Sequence, residues 1–258
     1  MDDGRPTAVV DLGNTAVKVW MGDELLSVQR SLTPSELSVL LRGAERVIWW
    51  ATREPVAEVV EILGPNRVLG TTPGPLTNAY LTPRTLGPDR WAAINGAFAL
   101  ARRDGGTAAL AIDAGTALTY DFATDFTPSE SGGFLRPAAE RGVYWGGGIG
   151  PGLSLRYRAL HEHTARLPLL EVVPEAGWDF GRDTVGSMRF GVQAAAVLEI
   201  EAVIDLTLSR LPEGAALDVF LTGGDAPILH KSLQNRNFAT RTLRPDLAAF
   251  GARLLFPI

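Results

Sequence analysis

Two short stretches of the chain, Val9-Val-Asp-Leu-Gly-Asn-Thr15 and Ala111-Ile-Asp-Ala-Gly-Thr-Ala117, follow the same pattern. In each, an apolar run ends at an aspartate, one residue later comes a glycine, and residues with hydroxyl or amide side chains follow. A second β-prone run comes next, Val17 to Trp20 in the first case and Leu118 to Phe122 in the second. Each stretch therefore predicts a β-hairpin with a tight turn. Their recurrence about a hundred residues apart indicates two duplicated α/β halves.

The turn residues indicate what such hairpins bind. Gly13 and Asn14 tolerate positive φ, and the backbone N–H groups of a tight bend form a nest that accepts phosphate oxygens. The aspartate at the strand end suits Mg²⁺, which prefers carboxylates and phosphates as ligands. Lys18 adds a point charge that can reach the phosphates. A single copy is more typical of an ordinary Asx turn, and it is the pair that favours a grip on a triphosphate.

The rest of the chain alternates helical and strand patterns. Thr33-Pro34-Ser-Glu36 predicts a capped helix start, and Gly146 to Gly152 predicts a glycine-rich loop that leads into a helix near Leu153. We also predict helices at 54–63, 90–103 and 190–211, buried strands at 47–50, 108–112 and 217–221, and a loop at 70–88. We expect an N-terminal domain at 1–105 and a C-terminal domain at 106–258.

Composition excludes several functional classes. The chain has 258 residues, 46% of them hydrophobic, a net charge of -5 and no cysteine. The acidic balance argues against non-specific nucleic-acid binding, and the lack of cysteine excludes disulfides, thiolate nucleophiles and cysteine zinc sites. The polar N-terminus does not resemble a signal peptide, and no apolar run approaches the ~18 residues of a membrane span. We therefore expect a cytoplasmic protein that binds neither nucleic acid nor membranes.

Two further segments have a functional and a plain interpretation. Gly87-Pro-Asp-Arg90 precedes a helix, so Asp89 is either its N-cap or a base that takes a hydroxyl proton, with Arg90 gripping an anionic substrate. Thr222-Gly-Gly-Asp-Ala226 follows an apolar strand. Its glycines either admit a flat nucleoside or form a strand-to-helix turn capped by Asp225.

Other motifs do not indicate sites. Gly146 to Gly152 lacks the Gly-Lys-Ser/Thr of a P-loop and does not fit the dinucleotide spacing. His161 and His163 would diverge on a helix, so solvated positions are the better interpretation. The Trp49-Trp50 pair is typical of a core.

Taken in order, these motifs resemble the actin, Hsp70 and sugar-kinase superfamily. Asp11 to Lys18 is similar to its first phosphate motif, Asp113 to Asp121 to its second, and Leu221 to Ala226 to its adenosine motif. Leu86-Gly-Pro-Asp-Arg90, Gly147 to Gly152 and Gly181-Arg-Asp-Thr184 narrow the resemblance. The set, from about residue 8 to 226, resembles type III pantothenate kinase.

The resemblance implies two actin-like (ribonuclease H-like) α/β domains with the nucleotide cleft between them, in a homodimer. It implies ATP-dependent phosphorylation of pantothenate to 4'-phosphopantothenate, the first step of coenzyme A biosynthesis, with Mg²⁺ and a monovalent cation, K⁺ or NH₄⁺. Asp89 would be the proton acceptor. Asp113 would ligate the monovalent cation and Asp11 would hold Mg²⁺ through water.

The implied binding residues fall into two sets. ATP would be bound by Asp11, Leu12, Gly13, Asn14, Thr15, Ala16, Val17, Lys18, Thr116, Gly223 and Gly224. Pantothenate would be bound, near the dimer interface, by Tyr80, Gly87, Pro88, Asp89, Arg90 and Thr184.

Departures and alternatives accompany the resemblance. The stretch between Asp121 and Gly146 is longer than the family pattern leads us to expect, and the Trp49-Trp50-Ala-Thr-Arg53 segment differs from it. A superfamily kinase for another small hydroxy acid, a non-catalytic transcriptional accessory factor and a filament-forming actin relative are the alternatives. The four residues Asp11, Asp89, Arg90 and Asp113 argue against a dead enzyme.

Overall fold

The structure, a computed structural model, describes residues 6–128, 134–135, 141–175, 177–233 and 241–256. These residues form an α/β fold with two mixed β-sheets of four and six strands and a separate two-stranded sheet. The strands are β1 (Thr7–Leu12), β2 (Val17–Met21), β3 (Glu24–Gln29), β4 (Arg46–Ala51), β5 (Thr77–Asn78), β6 (Ala108–Ala114), β7 (Ala117–Thr124), β8 (Thr127–Pro128), β9 (Phe134–Leu135), β10 (Val143–Pro151), β11 (Leu217–Thr222) and β12 (Arg241–Leu243). The helices are α1 (Pro34–Leu40), α2 (Ala57–Leu63), α3 (Pro88–Arg103), α4 (Leu153–Glu162), α5 (Thr184–Arg189), α6 (Ala195–Arg210), α7 (Ala226–Leu233) and α8 (Leu247–Leu255).

The two large sheets repeat one topology. In the first, β3, β2 and β1 form an antiparallel meander and β4 lies parallel to β1. In the second, β10, β7 and β6 form the meander, β11 lies parallel to β6, and β12 lies parallel to β11. A single parallel bridge from Trp49 to Arg67 occupies the position in the first sheet that β12 holds in the second. The duplication predicted from the two aspartate stretches is confirmed.

Three hydrophobic cores hold the layers together. The central core joins the two sheets through α3 and α8, and it includes Val9 and Trp50 from the first sheet and Ala111 from the second. The outer face of the first sheet packs on α1 and α2, and that of the second on α4, α6 and α7. Both faces of β1 and β4 are therefore covered, which explains why these strands are apolar without alternation. The predicted core positions of Trp49 and Trp50 are confirmed.

Glycines allow α3 and α8 to approach closely. A Cβ added at Gly96 would lie 2.7 Å from the Leu247 carbonyl oxygen, and one added at Gly251 would lie 1.8 Å from that of Ala92. The C-terminal helix is thus locked onto the helix that begins with the Gly-Pro-Asp-Arg segment. The predicted domain boundary falls in the turn between α3 and β6, and the division into 1–105 and 106–258 stays a prediction.

Helix boundaries follow the predicted signals in most places. Thr33 caps α1 in a capping box with Glu36, and Gly64 ends α2. The helix predicted from Phe190 begins earlier, since α5 starts at Thr184 and runs into α6 through a π-helical turn at Phe190–Ala194. A 3-10 turn occupies Pro83–Thr85.

Two sequence predictions of backbone conformation are wrong. Gly146 to Gly152 is largely strand β10, which pairs antiparallel with β7. The absence of a side chain at Gly147 permits this close pairing, since a Cβ there would lie 1.6 Å from the Tyr120 carbonyl oxygen. Neither Gly13 nor Asn14 adopts positive φ. Gly13 is instead required by close approach, since a Cβ there would lie 2.9 Å from the Ala16 carbonyl oxygen.

The stretch between β7 and β10, which is longer than the family pattern leads us to expect, lies partly outside the described residues. Gly132, Gly133 and Pro137 are among the residues outside them. The described part contains the short strands β8 and β9, which pair antiparallel. Among the described residues, no helix has the length and apolar character needed to cross a membrane.

Candidate active site

The tips of the two aspartate hairpins meet. The hydroxyl oxygens of Thr15 and Thr116 lie 2.5 Å apart, in side chains separated by 101 residues of chain. Both threonines are exposed, so the contact lies at the surface of the cleft between the sheets. The first turn is closed by the Gly13 N–H donating to the Ala16 carbonyl at 3.1 Å, and the second by Gly115 donating to Ala117 at 3.0 Å. The structure therefore brings together the two phosphate motifs predicted from sequence.

The aspartates of the two hairpins lie beside their glycines. A Cβ added at Gly13 would lie 3.4 Å from Oδ1 of Asp11, and one added at Gly115 would lie 3.4 Å from Oδ1 of Asp113. Each glycine therefore lies next to the carboxylate that precedes it by two residues.

The charges near these carboxylates show which groups converge. Burial raises the pKa of Asp11 to about 7, and the charges of Asp89 and Asp113 add to the rise while Lys18 opposes it. Burial raises the pKa of Asp113 to about 6, with Lys18 again opposing and Asp89 and Asp121 adding to it. The three aspartates expected to act in the reaction therefore share one electrostatic neighbourhood with Lys18.

Lys18 is held next to the first aspartate by the register of the hairpin. It is the cross-strand partner of Asp11, and its Nζ lies 3.9 Å from Oδ2 of that residue. Its side chain keeps about a third of its surface exposed, at 33%. The ammonium group is thus available to a ligand at the cleft while it partly offsets the buried carboxylates.

The predicted adenosine motif packs directly on the second hairpin. Gly223 has a φ of +95°, and a Cβ added there would lie 2.4 Å from Oδ1 of Asp113. The Asp225 N–H donates to the Ala114 carbonyl at 2.9 Å. Gly224 is exposed and faces open space. Both the positive φ and the close approach of Asp113 therefore require a glycine at position 223. The predicted adenosine motif thus lies against the Asp113 hairpin.

The oxygen atoms near Asp113 fit a hard monovalent cation. Thr119 is the cross-strand partner of Asp113, and its hydroxyl is buried without a hydrogen-bond partner in the part of the chain that the structure describes. A carboxylate and an unpaired hydroxyl oxygen are suitable ligands for such an ion. Within the same described residues, no three acidic or histidine side chains converge as a metal site. A divalent ion would therefore have to take most of its ligands from phosphates and water, as Mg²⁺ commonly does.

The Gly-Pro-Asp-Arg segment forms the start of α3, and the N-cap interpretation of Asp89 is wrong. The N-cap is Gly87, with Pro88 next and Asp89 in the first turn. The Asp89 carboxylate accepts a hydrogen bond from the Arg90 backbone N–H at 2.9 Å. A Cβ at Gly87 would lie 2.5 Å from Oδ1 of Asp89, so this glycine makes room for the carboxylate. The N-terminal end of a helix also favours negative charge.

Arg90 has a partner that the sequence analysis did not identify. Its guanidinium is buried and binds Asp121 through two nitrogens, and it contacts the Tyr144 hydroxyl at 3.4 Å. Burial raises the pKa of the Asp121 carboxyl, and the Arg90 charge opposes that shift. A signal was present, because Asp121 is the charged residue within the β-prone run from Leu118 to Phe122. The expected grip of Arg90 on a substrate stays a prediction, and a substrate anion would have to share the guanidinium with Asp121.

The remaining predicted substrate residues occupy different places. The Tyr80 ring lies 5.8 Å from the Arg90 guanidinium carbon and stacks on Tyr144 with the ring centroids 5.9 Å apart. Thr184 is the exposed first residue of α5, whose N-cap is Asp183. Tyr80 therefore borders the Arg90 side of the site, while the role of Thr184 stays a prediction.

Comparisons with known proteins identify the family that the chain is similar to. A family model described as type III pantothenate kinase matches residues 51–206. A protein named type III pantothenate kinase from Porphyromonas gingivalis (strain ATCC 33277) is 35% identical over 257 residues, which cover 94% of each chain. A protein of that name from Bacteroides fragilis (strain ATCC 25285) is 39% identical over 172 residues, and the match spans only 62% of that relative's length and 67% of this chain.

Solved structures with similar architecture were also found. Component A of (R)-2-hydroxyglutaryl-CoA dehydratase from Acidaminococcus fermentans superposes with a TM-score of 0.48 and 12% identity, over 98% of this chain and 97% of that one. An inorganic polyphosphate/ATP-glucomannokinase from Arthrobacter sp. superposes with a TM-score of 0.43 and 14% identity, over 96% and 97%.

Proposed function

The chain belongs to the type III pantothenate kinase family, and from that premise we propose that it transfers the γ-phosphoryl group of ATP to the primary hydroxyl of pantothenate. The product would be 4'-phosphopantothenate, in the first step of coenzyme A biosynthesis. The observation that carries the proposal is the contact between Thr15 and Thr116, which closes the two phosphate hairpins over one cleft. The Asp89 carboxylate lies within electrostatic range of both hairpin aspartates.

The hairpins form the nucleotide side of the proposed site. Residues 11–18 and Thr116 would hold the triphosphate through backbone N–H groups, hydroxyls and the Lys18 ammonium. Gly223 and Gly224 would lie against the nucleoside, since they follow strand β11 next to Asp113. Phosphoryl transfer requires mainly positioning and charge stabilisation, which rigid hairpins with fixed donors provide.

Cations complete the proposed nucleotide site. A divalent ion, when bound with ATP, would offset the negative charge of the phosphates. Asp11 would hold it through water, since Mg²⁺ commonly keeps several water ligands. Asp113 and Thr119 would hold a monovalent cation, K⁺ or NH₄⁺. Both raised aspartate pKa values fit carboxylates that are stabilised by a bound cation.

The start of α3 forms the acceptor side. Asp89 would orient the pantothenate hydroxyl and accept its proton as the bond to phosphorus forms. Gly87 and Pro88 place that carboxylate in the first turn of α3. Arg90 and Tyr80 would contact the remainder of pantothenate. We also propose a cytoplasmic homodimer in which Thr184 contributes to the pantothenate site near the subunit boundary.

An ADP-release assay with ATP, Mg²⁺ and pantothenate tests the proposal. We expect pantothenate-dependent ADP release that is faster with K⁺ than with Na⁺ at equal ionic strength. A panel of other small hydroxy acids distinguishes pantothenate kinase from a kinase for another acceptor. No pantothenate-dependent signal under any cation condition would overturn the proposal, and equal rates in K⁺ and Na⁺ would overturn the monovalent site alone.

A further inference from the structure

A buried ion pair lies directly behind the proposed acceptor site. Asp121 is 1% exposed and Arg90 is 6% exposed. The Arg90 Nε donates to both carboxylate oxygens of Asp121 at 3.1 Å, and Nη2 donates to Oδ1 at 2.7 Å. The Tyr144 hydroxyl also donates to Oδ1, at 2.7 Å. Asp121 thus accepts hydrogen bonds from two side chains that belong to different elements, α3 and β10.

We propose that Asp121 is a positioning residue for the phosphoryl acceptor, because its bidentate ion pair fixes the plane of the Arg90 guanidinium beside Asp89. The inference rests on the proposed function. It assigns a role to Asp121, and to Tyr144 as its support, in binding the acceptor and not the nucleotide.

The chemistry of the pair explains how it would act. A guanidinium held by two parallel N–H donors has a defined plane, whereas a free arginine side chain samples many rotamers. Arg90 follows Asp89 in the first turn of α3, and its backbone N–H donates to the Asp89 carboxylate. Fixing the Arg90 side chain therefore also restrains the residue proposed as the base.

Aromatic rings enclose the same guanidinium. Tyr144 lies between Tyr80 and Trp91, with ring centroids 5.9 Å and 5.7 Å away. Gly146 leaves space for Tyr80, since a Cβ there would lie 3.3 Å from its ring. The ion pair is thus packed from the side of β10 by Tyr144 and from the side of Tyr80.

The surroundings argue against a purely stabilising role. The neighbouring positions on the same face of the sheet are the small apolar residues Ala109, Ala111 and Ala123, all 2% exposed or less. In such a layer a buried ion pair is a weak source of stability, because the cost of desolvating both charges offsets their attraction. A charged pair held next to a proposed catalytic carboxylate is better explained by the orientation that it imposes.

Two matched tyrosine variants test the inference without removing a buried charge. Tyr144→Phe deletes the hydroxyl that supports Asp121. Tyr120→Phe deletes an equivalent hydroxyl on β7, which donates to Glu199 at 2.9 Å on the opposite face of the sheet. We expect Y144F to raise the KM for pantothenate about tenfold, the loss of one hydrogen bond to a charged group. Y120F should keep that KM within about twofold, and both should keep the KM for ATP within about twofold.

A double-mutant cycle then asks whether Asp121 acts through Arg90. Asp121→Asn should raise the pantothenate KM in the wild-type background and change it less than about twofold when Arg90→Gln is already present. If wild-type protein releases ADP with pantothenate but Y144F and D121N keep its KM, the inference fails alone. An additive cycle also overturns it. A wild-type protein with no pantothenate-dependent turnover overturns the proposed function, and the inference with it.

Discussion

The Asp11 and Asp113 hairpins follow the same sequence pattern but lie in different environments. The first turn spans one residue more, since Gly13 bonds to Ala16 whereas Gly115 bonds to Ala117. The first hairpin pairs its aspartate with Lys18, and the second packs its aspartate against Gly223. The first therefore has a lysine charge beside its aspartate, and the aspartate of the second packs against the adenosine motif.

This difference shows how two copies of one hairpin can take different roles at the same site. The two sheets keep the same strand order, so backbone geometry was retained on both sides of the cleft. What differs is the partner of each carboxylate. The Lys18 ammonium lies beside Asp11, and the backbone turn at Gly223 lies beside Asp113. The predictions below test whether the two halves are as unequal as their contacts indicate.

The largest effect is expected where the halves converge. Burial raises the pKa of both hairpin aspartates, and Asp89→Asn removes a carboxylate whose charge adds to that rise. If Asp89 is the proton acceptor, kcat should fall by roughly 10²- to 10⁴-fold, while the KM for ATP stays close to that of the wild type. Steady-state kinetics with pantothenate measures both quantities.

Thermal unfolding controls for a structural effect of this substitution. Because the N-cap of α3 is Gly87, D89N should cost only the charge at the helix start, about 0.3–1 kcal/mol. Near-normal turnover with a large loss of stability would contradict the catalytic role.

The pH dependence of stability should separate the two aspartates. Their raised pKa values, about 7 for Asp11 and about 6 for Asp113, mean that the folded protein keeps protons that the unfolded chain releases near pH 4. The free energy of unfolding therefore falls as pH rises from about 4 to each folded pKa. Asp11→Asn should remove a loss on the order of 4 kcal/mol by pH 8, and Asp113→Asn a smaller one.

Urea unfolding of the apo variants at pH 4.5, near the start of this titration window, and at pH 8, about one unit above its upper end, checks this. The relevant quantity is the difference between each variant and the wild type, since other buried carboxyls titrate in both. If D113N raises the free energy of unfolding at pH 8 more than D11N does, the expected order of the two folded pKa values is wrong.

Much of this arrangement was predictable because it depends on local sequence. The spacing of Asp, Gly and Thr gave both hairpins, and Thr33 with Glu36 gave the start of α1. The recurrence also predicted the duplicated topology, since two copies of one hairpin in a chain of this length call for two similar sheets.

The parts that could not be predicted depend on contacts distant in sequence. Gly147 is a strand residue because it lies against Tyr120, and nothing within the glycine run itself reveals that neighbour. Asp121 pairs with Arg90 across 31 positions of chain, so its partner appears only when α3 packs on the second sheet. The direct contact between Gly223 and Asp113 likewise depends on the pairing of β11 with β6.

Two neighbouring glycines, Gly223 and Gly224, test whether the second hairpin packs closely on the adenosine motif. Gly223→Ala would force a Cβ to within 2.4 Å of Asp113 at a φ of +95°, whereas Gly224→Ala meets nothing within 4 Å. We expect G223A to lower stability by about 1–3 kcal/mol and to weaken ATP binding. G224A should change stability by less than about 0.5 kcal/mol. Equal effects of the two substitutions, by calorimetry and nucleotide titration, would contradict the close packing of the motif on Asp113.

The smallest expected effect lies at the contact between the hairpin tips. Thr15→Val and Thr116→Val each remove one partner of the 2.5 Å hydroxyl pair while keeping the side-chain shape. Because both residues are exposed, each loss should cost about 0.5–1.5 kcal/mol of stability at most. If the contact closes the cleft, the two losses should not add in the double variant, and coupling should grow when ATP is bound. A purely additive cycle with and without nucleotide would mean that the two halves hold the phosphates independently, and the difference between them would then lie in Lys18 and Gly223 alone.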